Sequence, residues 1–142
     1  MNKIIIYTDG GARGNPGPAG IGVIINGKPY YEYIGCNTNN KAEYQAVVFA
    51  LKKTKAILGA RRINFDIPIE IYLDSELVCN QLNGTFKITG ESLWPYFMNV
   101  WNLRRDLKNV SFHLIPREQN KEADKLVNKA LDEHLSIATS LF

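Results

Sequence analysis

The stretch Lys3-Ile4-Ile5-Ile6-Tyr7-Thr8-Asp9-Gly10-Gly11 decides the fold. Its β-branched and aromatic run over residues 3–9 predicts a buried strand that ends in a carboxylate, Asp9. Gly10 to Gly20 is rich in Gly and Pro and reads as a turn or loop. Residues 20–26 and 29–36 read as two further strands. Asn26-Gly27 between them is a strong hairpin signal, because both residues tolerate positive φ.

Downstream, the period changes. Ala46, Val47, Ala50, Leu51, Thr54 and Leu58 recur at helical spacing and predict a helix from about Asn40 to Gly59. Asn40 is placed to cap it, and Glu43, three residues on, completes a capping-box pattern. After a linking loop at 60–66, residues 67–73 read as a fourth strand ending at Asp74. A short helix fits Ser75–Leu82. A longer one fits 91–108, with Pro95 in its first turn, where proline is tolerated. Residues 110–115 form a fifth strand. A last helix is expected over 120–134, and the tail 135–142 is ambiguous.

The order of strand, hairpin, helix, strand, helices, strand, helix predicts an α/β fold. Strands one, four and five run parallel through β-α-β crossovers, and the second is antiparallel. The expected result is a five-stranded mixed sheet with helices on both faces. No repeat, low-complexity segment or domain boundary interrupts it. The 142 residues are expected to form one domain, with a core of about 3–133.

Composition excludes several classes. Apolar content is 45% and charged content 22%, ordinary for a globular chain. The longest apolar runs are short, so no membrane span is expected. The N-terminus shows no signal-peptide pattern, and a cytoplasmic protein is expected. Net charge is +3, which permits a nucleic-acid partner without arguing strongly for one. Cys36 and Cys79 lack metal-ligand spacing and are expected to be buried free thiols, with a disulfide between them as the alternative.

Four acids stand apart from the surface charges. Asp9 and Asp74 end strands expected to be parallel neighbours, at the carboxyl edge where open α/β sheets bind ligands. Glu43 lies four residues before Val47, and Asp124 three before Val127 and seven before Leu131. Both therefore fall on apolar stripes near helix starts. Singly, each acid has an ordinary explanation as a turn, cap or helix-dipole residue. Together, two strand ends and two inward-facing helix starts converge, and uncompensated carboxylates would repel. A divalent cation resolves the conflict. Hard oxygen ligands without a His/Cys cluster point to Mg²⁺, with Mn²⁺ as the alternative. Two ions about 4 Å apart suit phosphodiester hydrolysis.

Four segments then resemble the motifs of type 1 ribonuclease H, in order, over about residues 3–133. They are Thr8-Asp9-Gly10-Gly11-Ala12-Arg13-Gly14-Asn15-Pro16-Gly17, Thr38-Asn39-Asn40-Lys41-Ala42-Glu43, Leu73-Asp74-Ser75-Glu76-Leu77-Val78, and Pro116 through Asp124. The resemblance implies an endonuclease that cuts the RNA strand of an RNA–DNA hybrid. It implies that Asp9, Glu43, Asp74 and Asp124 bind two Mg²⁺ ions, with water attacking to leave 5′-phosphate and 3′-hydroxyl ends. It implies that Gly10, Gly11 and Asn15 approach the RNA strand, that Asn39 and Asn40 read the minor groove, and that Thr38 holds a DNA-strand phosphate. Ser75 and Arg117 join the expected substrate contacts. Double-stranded RNA is a further candidate partner, and a monomer is expected.

Three departures from that pattern matter. The loop before Asp124 holds Arg117 and Glu118 and no histidine, and His113 falls inside the fifth strand. Arg117 is expected to supply a phosphate contact instead. Cys36 stands where many relatives carry an arginine. Residues 83–91 leave no room for a basic protrusion, and Phe86 and Trp94 are expected to pack in the core, with contact to the hybrid beside Lys87 as the alternative. Two rival readings remain: a junction-cutting or strand-transferring nuclease of the same fold, and a binding module without activity. Thr38-Asn39-Asn40 and the intact set of four acids weigh against them.

Overall fold

A computed structural model describes residues 2–141. Met1 and Phe142, the ends of the expected 1–142 unit, lie outside the described residues. The strands are β1 (Ile4–Ala12), β2 (Gly17–Ile25), β3 (Lys28–Asn37), β4 (Ile69–Leu73) and β5 (Val110–Leu114). The helices are α1 (Asn39–Ala60), α2 (Glu76–Leu82), α3 (Trp94–Asp106) and α4 (Lys121–Leu141), with single 3₁₀ turns at Glu91–Leu93 and Arg117–Gln119.

The sheet order is β3-β2-β1-β4-β5. β1 pairs parallel with β4, β4 parallel with β5, and β2 antiparallel with both β1 and β3. This is the mixed sheet that the sequence predicts. Asn26 and Gly27 take φ of 45° and 84°, so the β2–β3 turn uses the positive-φ pair read from the sequence.

One expectation fails at the first hairpin. Gly10–Gly20 is not a free loop: β1 runs on to Ala12 and β2 starts at Gly17, leaving a turn at 13–16. Asp9 therefore sits inside β1 and does not end it. The glycines are there for helix approach. A Cβ on Gly10 would lie 2.3 Å from the Ala42 carbonyl carbon in α1, and one on Gly22 would lie 2.3 Å from the Ala123 oxygen in α4. Asp9 pairs with Gly22, so Gly10 projects to the opposite face. The two helices thus press on opposite faces of the same hairpin.

The core joins Ile4, Ile6, Ile69, Ile71 and Leu73 of the sheet to Ala46, Val47, Ala50, Leu51 and Leu58 of α1. Complete burial of each such Ile or Leu contributes about 1.5–3 kcal/mol. α4 seats Ala123, Val127, Ala130 and Leu131 on the other face. It also runs past residue 134, because no Gly or Pro interrupts 121–141. Its later turns clasp β3: His134 stacks on Tyr33 at 3.5 Å between ring centroids, and Tyr31 donates to Glu133 at 2.9 Å. The segment 135–141 is therefore helix, with Leu135 and Ile137 exposed.

Two further expectations are overturned. Cys36 is exposed on edge strand β3, and only Cys79 is buried; both are free thiols. Phe86 and Trp94 are 44% and 51% exposed and do not belong to the core. Trp94 spends its indole N–H on the Ile88 carbonyl at 3.1 Å.

Candidate active site

The acids come together at the end of the sheet where β1 outruns β4. The parallel pairing ends at Tyr7–Tyr72, so Asp9 lies beyond the last β4 partner and Asp74 follows directly after β4. α1 begins beside them because Thr38 caps it: the Thr38 hydroxyl accepts from the Lys41 N–H at 3.3 Å. The cap is Thr38 and not Asn40, so the predicted Asn40–Glu43 capping box does not form. Glu43 is free of that duty and turns inward.

One carboxylate oxygen each from Asp9, Glu43 and Asp74 fall within 4.8 Å of one another. Asp9 is 7% exposed and Glu43 8%, while Asp74 is half-buried. Burial first, then the Asp74 charge, pushes the Asp9 carboxyl up to about 7. Burial, followed by the Asp9 charge, holds Glu43 well above the usual carboxylate range. The Gly10 backbone N–H pulls both the other way. Glu43 Oε2 is buried without a hydrogen-bond partner, and none of the ion pairs among the described residues reaches these acids. Hard oxygen donors, mutual repulsion and an orphaned buried oxygen fit a divalent cation. The cluster could hold a metal ion.

Asp124 differs from its expected setting. It is exposed in the first turn of α4, where Ala123 and Val127 take the buried positions, and it is outside the three-acid cluster. The stripe running from 124 to 127 and 131 is offset by one residue from the face that seats on the sheet. Asp124 still overlooks the cluster, since its charge raises the Asp9 carboxyl.

A cavity of about 610 Å³ gathers most of the predicted residues: Asp9, Gly10, Gly11, Asn39, Asn40, Glu43, Asp74, Ser75, Arg117 and Asp124. Asn15 and Thr38 do not line it. Asn15 is exposed in the β1–β2 turn, its Oδ1 accepting from the Asn39 N–H at 3.0 Å. Asn39 in turn accepts from the Ala12 N–H at 2.8 Å, which latches the β1–β2 hairpin to α1. Ser75 caps α2 by accepting from the Val78 N–H at 3.2 Å. Lys121, in the first turn of α4, also lines the cavity and adds a second cation to its wall beside Arg117. The sequence pattern does not single out Asn120. It is buried and donates through Nδ2 to the Thr8 carbonyl and to Asp74 Oδ2, each at 2.9 Å. Its place four residues before Asp124 was the available signal.

Comparison with known proteins agrees with this geometry. Residues 7–130 match the family described as Reverse transcriptase-like. The ribonuclease H of Ruthia magnifica is 31% identical over 151 residues, covering 94% of this chain and 98% of that protein. The chain belongs to the ribonuclease H family. LC11-RNase H1, solved in complex with an RNA/DNA hybrid, superposes with a TM-score of 0.87 at 42% identity, covering 94% of this chain and 99% of that one. The Mycobacterium tuberculosis bifunctional protein Rv2228c is 32% identical over 137 residues, yet this chain spans only 36% of its length. The sheet that carries the acids is thus the sheet of the ribonuclease H structures on which the chain superposes.

Proposed function

We propose that this protein hydrolyses the RNA strand of RNA–DNA hybrids with divalent cations held by Asp9, Glu43, Asp74 and Asp124. The observation that carries the reading is the converging trio of carboxylates, two of them buried, that none of the ion pairs among the described residues reaches. Mg²⁺ is the proposed ion, in a pair, with Mn²⁺ as the substitute. Bound cations supply Lewis acidity and a nucleophilic water for phosphodiester hydrolysis.

Several of the chain's own groups support a hybrid substrate. Arg117 and Lys121 place positive charge on the cavity wall, where a phosphate backbone would pass. Gly10 and Gly11 present bare backbone at the cavity floor. Asn39 has its oxygen committed to Ala12, so its NH₂ remains to donate to minor-groove acceptors. The 2′-hydroxyl distinguishes RNA from DNA in such a groove. Asn15 is proposed to approach the RNA strand and Thr38 to hold a DNA-strand phosphate, beside the hydrogen bonds that each makes at the start of α1. The two free thiols, one exposed, suit a reducing cytoplasm.

The test is cleavage of one labelled RNA strand presented in a hybrid, in double-stranded RNA and at an RNA–DNA junction, beside a double-stranded DNA control. The expected result is cutting of the RNA in the hybrid, with 5′-phosphate products. Equal or faster cutting of double-stranded DNA, or none of the hybrid, would refute the proposal.

A further inference from the structure

We infer that Asn120 is the positioning residue of the acidic cluster, aiming the Asp74 carboxylate and setting the helix that carries Asp124. The inference rests on reading the cluster as a cation site. Asn120 is 1% exposed. Its Nδ2 donates to Asp74 Oδ2 and to the Thr8 carbonyl, both at 2.9 Å. Both partners are pure acceptors, so the amide presents its NH₂ to them and its orientation is fixed by chemistry. The two hydrogens are thereby used up.

The other end of the same amide is the informative part. Oδ1 of Asn120 is buried without a partner. An unpaired buried carbonyl is costly, so an apolar residue would fill this space better if filling were the only task. The position is explained by the two donors. One hydrogen fixes the rotation of the Asp74 carboxylate, which supplies an oxygen to the shared site. The other fastens the main chain of β1 at Thr8, one residue before Asp9. The Asn120 carbonyl also accepts from the Asp124 N–H at 3.2 Å, which starts α4 at this point. One residue therefore ties together the three elements that carry Asp9, Asp74 and Asp124. Outer residues that orient ligand carboxylates commonly affect metal affinity by 10- to 100-fold, about the size expected here.

Calorimetric titration with Mn²⁺ alone tests this, on the full chain and three variants. Asn120→Ala deletes the donors, Asn120→Leu deletes them while filling the space, and Leu131→Ala weakens α4 packing far from the cluster. The expected result is Mn²⁺ affinity lower by about tenfold or more in both Asn120 variants. Leu131→Ala should match the unaltered chain within about twofold while melting at a lower temperature. On hybrid substrate, saturating Mn²⁺ should recover much of the lost kcat in Asn120→Leu. Unchanged affinity in both Asn120 variants overturns the inference and leaves the cation site standing. Equal weakening in Leu131→Ala overturns it too, because general loosening of α4 then suffices. Absence of Mn²⁺ binding to the unaltered chain overturns both the inference and the site on which it rests.

Discussion

The floor and the rim of the cavity are built on opposite principles. On the floor, Asp9 and Glu43 are buried in rigid elements, one inside β1 and one in the second turn of α1. On the rim, Asp124, Arg117 and Lys121 are exposed, at the start of α4 and in the turn before it. A buried acid has few ways to lower its energy: it takes up a proton or binds a cation. A rim charge is relieved by water. The floor therefore has to bind something, whereas the rim only tunes what arrives.

The comparison predicts its own largest effect. Asp9→Asn or Glu43→Gln should lower hybrid cleavage by on the order of 10³-fold or more, since each removes a floor ligand. Either change should also leave the metal-free protein as stable as before or more so, because a repelling buried carboxylate is gone. Loss of activity with a large loss of thermal stability would show that the floor is structural.

Next comes pH. The Asp9 carboxyl is raised from 3.8 to about 7 in the folded chain, so the native state holds its proton more tightly than the unfolded one. That contribution to stability is complete below about pH 4 and is lost as pH rises towards 7. Chemical denaturation without metal should show Asp9→Asn losing less stability than the unaltered protein between pH 4 and 7. Saturating Mg²⁺ should flatten the difference, because the cation favours the ionised form. Parallel pH profiles for the two proteins would contradict the buried floor.

The rim should yield smaller numbers. Asp124→Asn is expected to slow cleavage by roughly 10- to 100-fold, less than either floor change, because solvent already screens that charge. A steady-state comparison at several Mg²⁺ concentrations checks the ranking. Arg117→Ala should act mainly on KM, by less than about tenfold, and should make KM less dependent on salt. An unchanged salt slope would remove Arg117 from the phosphate path.

The same contrast explains what could be read from the sequence. Buried elements write their period into the chain: the β-branched run before Asp9 and the stripe from Ala46 to Leu58 place the sheet and α1 correctly. The approach of two backbones leaves a weaker trace. Glycine serves turns and close packing alike, so Gly10 to Gly20 reads as a loop although most of it is strand. The rim suffers from a one-residue ambiguity, since a stripe through Asp124 and one through Ala123 both reach Val127. Capping was equally ambiguous, as Thr38, Asn39 and Asn40 are all competent and only Thr38 is used. The Asn120 contacts join residues 112 and 46 positions apart, a link that no local pattern encodes.

The most direct measurement is a cleavage time course on a hybrid with labelled RNA, run in Mg²⁺, then with excess EDTA, then with Mg²⁺ restored. The account predicts cutting of the RNA strand alone, its arrest on chelation and its recovery on adding the ion back. Cleavage that continues unabated in EDTA, or a hybrid left intact in both Mg²⁺ and Mn²⁺, would contradict it.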